Sequence, residues 1–89
     1  MKLIVAIVRD HDADAVLSAL VEKDLRVTRT ASSGGFLRRG NATFWIGIED
    51  ERVDEALDVI RAAVAQSESE PGQRKAMVFV LNVARFEQL

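Results

Sequence analysis

An α+β domain built in the order β-α-β-β-α-β is predicted by three observations. Two continuous aliphatic runs, KLIVAIV at Lys2 to Val8 and AMVFVL at Ala76 to Leu81, stand near the two ends of the chain. Two stretches that follow strand-like runs carry apolar residues at the i, i+3, i+4 spacing of amphipathic helices. Between them lie two short stretches that read as strands, joined by a glycine- and arginine-rich connection. Two strand–helix–strand halves in 89 residues make the ferredoxin-like arrangement.

Each element has its own signal. Lys2 to Val8 is β-branched and aliphatic without alternation, the pattern of a strand buried on both faces. Asp10, His11 and Asp12 interrupt the run, and capping oxygens for a helix are expected there. Ala13, Val16, Leu17, Leu20 and Val21 form the apolar stripe of that helix, which should end near Asp24. From Leu25 to Ala31 the chain alternates: Arg26, Thr28 and Thr30 share one face, Leu25, Val27 and Ala31 the other, with Arg29 an exception. A loop from Ser32 to Ala42 leads into a third strand, Thr43 to Ile48, on which Phe44 and Trp45 point to opposite faces. Asp50 suits the N-cap of a second helix with stripe Val53, Ala56, Leu57, Ile60, Ala63 and Val64, and Asp54 and Glu55 favour its first turns. Gln66 to Lys75 is polar, holds Pro71 and Gly72, and reads as a loop. The tail from Asn82 keeps Val83, Phe86 and Leu89, so it is expected to pack against something.

Length and composition bound the function. The chain reads as a single domain, 1–89, of soluble globular character, with 48% hydrophobic and 29% charged residues. A domain this small buries only about 60–65% of its unfolded surface, so association is one way to gain stability. In this fold both helices cover one sheet face, yet the first and last strands are apolar on both. Other copies of the chain are the simplest cover, and a homo-oligomer is expected. The absence of cysteine excludes disulfides and thiolate chemistry. The opening apolar run is too short for a signal peptide or a membrane span and lacks a small-residue cleavage site. A cytoplasmic protein without a membrane partner is the expectation. The pI near 5.3 argues against a duplex nucleic-acid partner, which requires a broad basic face.

Charge is nevertheless concentrated. Between Leu25 and Gly47 there are four arginines and no acid, so this stretch carries +4 and the remainder −6 of the net −2. A compact positive stretch on an acidic body suits a local anion site. Gly34-Gly35 can offer backbone N–H groups in a nest, and glycine permits close approach of a ligand to the main chain. Arg26, Thr28 and Thr30 offer a guanidinium and hydroxyls to phosphate or a base edge. The alternatives are a plain hairpin connection with solubilising arginines and a solvated edge-strand face; the loop matches neither dinucleotide nor Walker patterns. Phe36 and Leu37 at the loop tip read either as a stacking shelf for a purine, worth ~1–3 kcal/mol per base, or as a plug for a neighbouring subunit. Catalysis has little support: His11 is the single histidine and reads as a surface residue near a helix start, and no paired carboxylates stand out from the solvated helix-face acids. One histidine and no cysteine make a metal site weaker still.

Over these residues the chain resembles the PII-like cyclic-di-AMP receptor family, trimeric bacterial signalling proteins. The likeness begins at Lys2 to Val8 with Asp10 and Asp12. It is densest from Arg26 to Thr30, through Gly34-Gly35-Phe36-Leu37-Arg38 to Gly40-Asn41, then at Thr43-Phe44 and Gly47. It continues through Asp50 to Glu55 and Val78-Phe79-Val80. Ser33 stands where the family usually has threonine, and the loop at Gln66 to Lys75 is much shorter than is usual there. The resemblance implies a homotrimer with inward-packed sheets and ligand clefts between subunits. Arg26, Thr28, Gly35, Phe36, Leu37, Asn41 and Gly47 would line each cleft, and Gln88 in the tail would reach the neighbouring base. Arg26 and Thr28 suit phosphate or ribose oxygens, the Gly35 and Phe36 amides suit phosphate, and Asn41 can donate to and accept from an adenine edge. The function implied is non-enzymatic signalling: cyclic-di-AMP binding rearranges a loop read by a downstream protein, with no resident cofactor. The alternatives are a trimer that binds another adenine nucleotide and a ligand-free interaction module. An enzyme using His11 is the weakest reading.

Overall fold

The computed structural model describes residues 1–31, 40–65 and 74–89. Strand β1 (Lys2–Arg9) leads directly into helix α1 (Asp10–Glu22), followed by β2 (Val27–Ala31) and β3 (Asn41–Ile48). A 3-10 turn, Asp50–Arg52, opens helix α2 (Val53–Ala65), and β4 (Ala76–Asn82) completes the sheet. The strand order is β2-β3-β1-β4 with every neighbouring pair antiparallel. This is the expected β-α-β-β-α-β topology: each helical crossover skips one position, and the strand inserted there belongs to the other half.

The alternation along each strand decides where the core lies. Ile4, Ala6 and Val8 of β1, with Ala42, Phe44, Ile46 and Ile48 of β3, are buried beneath the helices. Ala13, Val16 and Leu20 of α1 and Ala56, Ile60 and Val64 of α2 close over them, with Leu17, Val53, Leu57 and Ala63 packed at the flanks. Val21, by contrast, is exposed and lies outside the buried stripe. The end of α1 near Asp24 is a Schellman closure: the Leu25 amide donates to Leu20 O at 3.2 Å and the Asp24 amide to Val21 O at 2.9 Å. Asp24 takes the left-handed conformation, φ 60, that this closure requires. Leu25, the residue after it, is buried in the cluster that contains Leu20.

Three local expectations are corrected. Asp10 and Asp12 lie inside the first turn of α1, whose N-cap is Arg9 without a side-chain capping bond; their carboxylates act on the helix dipole instead. Asp50 does not cap α2. It faces the Met1 ammonium at 2.9 Å, and the hydrogen bond from that ammonium, helped by the Lys2 charge, lowers its pKa. β3 begins at Asn41 rather than Thr43, because Asn41 and Ala42 pair with Arg9 and Val8.

Arg29, the exception to the alternation, sits on the helix face of β2 for a physical reason. Its guanidinium lies 6.0 Å from the Phe44 ring centroid and donates to Asp14 Oδ1 at 3.0 Å. On an edge strand the stem covers an aromatic while the head reaches water. Arg29→Ala is expected to cost about 1 kcal/mol in urea unfolding, since both the ring contact and the exposed ion pair are weak. A loss above several kcal/mol would contradict this reading.

Candidate functional site

Among the described residues no helix covers the other face of the sheet, hereafter the open face, and its side chains divide into two halves. On the β1–β4 half, Leu3, Val5 and Ile7 stand opposite Leu81, Phe79 and Met77. On the β2–β3 half, Thr28 stands opposite Trp45 and Thr30 opposite Thr43. Arg26 immediately precedes β2 and so lies at the Gly47 end of that pair. One half is apolar, the other is lined with hydrogen-bonding groups.

Within the polar half the side chains hold one another. Trp45 Nε1 donates to Thr30 Oγ1 at 3.0 Å, and Thr30 Oγ1 donates to Thr43 O at 3.5 Å. These bonds orient a half-exposed indole beside Thr28, while Phe44 is fully buried on the opposite face as the alternation predicts. Thr43 is buried on the open face, and its Oγ1 has no hydrogen-bond partner among the described residues. Gly47 is exposed, and a Cβ there would meet only the Met1 Cε atom, at 3.3 Å. The main chain is therefore bare beside Trp45. This indole platform was not nominated from the sequence, although its opposite parity to Phe44 was the available signal.

The predicted site residues that are described do not converge in one chain. Asn41 and Gly47 are six residues apart on β3, about 20 Å at the rise of an extended strand. Arg26 and Gly47 thus belong to one end of the open face, Thr28 to its middle and Asn41 to the other end. Gln88 lies in the tail beyond β4, which leaves the sheet where Lys2 pairs with both Ile48 and Asn82, the Gly47 end. The Val83 amide donates to Met1 O at 3.2 Å, but Phe86 and Leu89 are exposed, so the expected packing of the tail is not met within one chain. Gly35, Phe36 and Leu37 lie outside the described residues, as does most of the Gln66 to Lys75 loop.

His11 stands on the surface of α1 with Nε2 3.6 Å from Asp12 Oδ2. It belongs to the helix layer, not to the open face. Among the described residues no group of histidines and carboxylates is arranged to hold a metal ion, and no helix is long and apolar enough to cross a membrane.

Comparison with known proteins gives this arrangement a class. Residues 1–71 match the family model described as cyclic-di-AMP receptor. The chain belongs to that family, whose proteins are nucleotide-binding signalling receptors rather than catalysts. It is also similar to the crystal structure of a functionally unknown protein from Pediococcus pentosaceus, with 41% identity over 99% of this chain and 96% of that one, at a TM-score of 0.80.

Proposed function

We propose that this chain forms a homotrimer of 89-residue single-domain subunits that binds cyclic-di-AMP in clefts between neighbours and signals in the cytoplasm. The observation that carries the reading is the separation of the site residues. In one chain Arg26 lies about 20 Å and Thr28 about 14 Å from Asn41 along the strands, so in this reading Asn41 comes from a neighbour. Arg26, Thr28 and Gly47 then form one wall of each cleft, and Asn41, Gly35, Phe36 and Leu37 form the other, with Gln88 approaching the base. Ligand binding shifts the population of loop conformations presented to a downstream protein.

The edges of the sheet support assembly. β2 is five residues long and bears Arg29, with Arg26 just before it, which blunts that edge. β4 has seven residues, AMVFVLN, with no charge and no proline. Its Met77, Phe79 and Leu81 are 42, 52 and 47% exposed on the open face. An apolar edge of this kind attracts another chain, and a closed ring of copies covers it without an open-ended filament.

Calorimetric titration with cyclic-di-AMP, with ATP and AMP as competitors, tests the reading. Saturable binding near one ligand per subunit is expected. Binding of ATP or AMP alone would make the protein a sensor of another adenine nucleotide, and silence with all three would leave an interaction module. Trp45, the single tryptophan, supplies a second readout. Because it stands beside Thr28, its fluorescence is expected to change on ligand addition in proportion to calorimetric saturation. An unchanged spectrum at saturation would remove Thr28 from the cleft.

A further inference from the structure

We propose that Trp45 is a base-stacking residue of the nucleotide cleft, and that Thr30 is the positioning residue that aims its ring. The inference rests on the nucleotide-binding reading above and assigns the surface that holds the purine. Place, orientation and neighbourhood each support it. In register, Trp45 stands between Thr28 on β2 and Val5 on β1, and Val5 in turn stands beside Phe79. The indole therefore marks the seam between the hydroxyl-bearing half of the open face and its apolar half. A purine calls for both, because its faces are apolar and its edges carry hydrogen-bonding groups.

The ring is held by a chain of bonds with one possible direction. An indole N–H can only donate, so Trp45 Nε1 gives its proton to Thr30 Oγ1 at 3.0 Å. Thr30 Oγ1 turns its own proton to Thr43 O at 3.5 Å, on the inner strand β3. This tie uses the edge of the indole, whereas stacking uses a face, and 40% of Trp45 stays exposed. A ring already held in place loses little side-chain freedom when a base settles on it. Gly47 follows two residues along the same face, about 7 Å away at the rise of a strand, and adds no side chain between the indole and the Arg26 end. A base on Trp45 thus leaves its sugar and phosphate directed toward the Arg26 guanidinium.

The test is calorimetry of wild type, Trp45→Leu, Thr30→Val and the double variant, each titrated in parallel with cyclic-di-AMP, ATP and AMP. Leucine keeps apolar bulk on the sheet but removes the π face. Trp45→Leu is expected to bind at least about tenfold more weakly, with the assembly unchanged by sedimentation. Thr30→Val keeps the shape of the side chain and removes the hydroxyl, and about a threefold loss is expected. Because Thr30 acts through the indole, the double variant should bind no more weakly than Trp45→Leu. A further loss in the double variant would overturn the positioning role and make Thr30 a ligand contact. Wild type offers a measurement that needs no variant: the ring-proton resonances of its single tryptophan should move upfield as ligand saturates, under the ring current of a stacked purine. Unmoved resonances at saturation, or full affinity in Trp45→Leu, would overturn the stacking role and leave the nucleotide reading standing. Loss of assembly in Trp45→Leu would make the indole an anchor between subunits instead. Wild type that binds none of the three ligands would end the nucleotide reading and the stacking role together.

Discussion

Replacing Arg26 or Asn41 by alanine is expected to weaken cyclic-di-AMP binding by about ten- to a hundredfold each, while the assembly persists. The size follows from the chemistry. Arg26 presents a charged donor to phosphate or ribose oxygens, and such bonds contribute roughly 1.5–3 kcal/mol. Asn41 would pair with an adenine edge in a partly enclosed cleft, where truncation leaves the base without its partner. Neither side chain belongs to the buried core of the subunit. Folding and association should therefore survive both changes. A variant that binds the dinucleotide as tightly as wild type would remove that residue from the site, and one that no longer assembles would show a structural role instead.

The second large effect is expected at the opposite half of the same face. Phe79 projects from the middle of β4, half exposed in the isolated chain and paired in register with Val5. Phe79→Asp should abolish the homotrimer, as measured by sedimentation, because a carboxylate buried without a partner costs far more than one left in water. The monomer should still fold, since the β1–β3 core beneath the helices does not include this side chain. Loss of assembly should bring loss of dinucleotide binding with it, even though every residue of the Arg26 and Asn41 walls is intact. A trimeric Phe79→Asp protein would show that β4 is not the covered strand.

Much of the fold is legible in the sequence. The element order follows from two unalternating aliphatic runs and two helical stripes, and the parity of Phe44 and Trp45 separates the core face from the open face. Other features depend on contacts between distant residues. Arg29 looks like a break in the pattern of β2 until Phe44 and Asp14, on two other elements, supply its partners. Arg52 donates from Nη2 to Lys23 O at 2.9 Å, so the start of α2 satisfies a carbonyl at the end of α1. Asn41 reads as a loop residue because its pairing with Arg9 is invisible to a local window. The meeting of Arg9 with Arg74 needs the β1–β4 register, a link across 65 positions. The tail shows the limit of reading one chain: Phe86 and Leu89 find no cover among the described residues.

Mixed assembly tests the central claim, that each cleft draws Arg26 and Asn41 from different chains. Arg26→Ala and Asn41→Ala proteins, each weakened alone, are co-refolded at equal amounts and titrated with cyclic-di-AMP. In a cyclic trimer every mixed ring contains one cleft with both residues intact, so roughly a quarter of the wild-type sites should return at wild-type affinity. No recovered binding in rings shown to be mixed would contradict the account, because it would place both residues in the same chain's site.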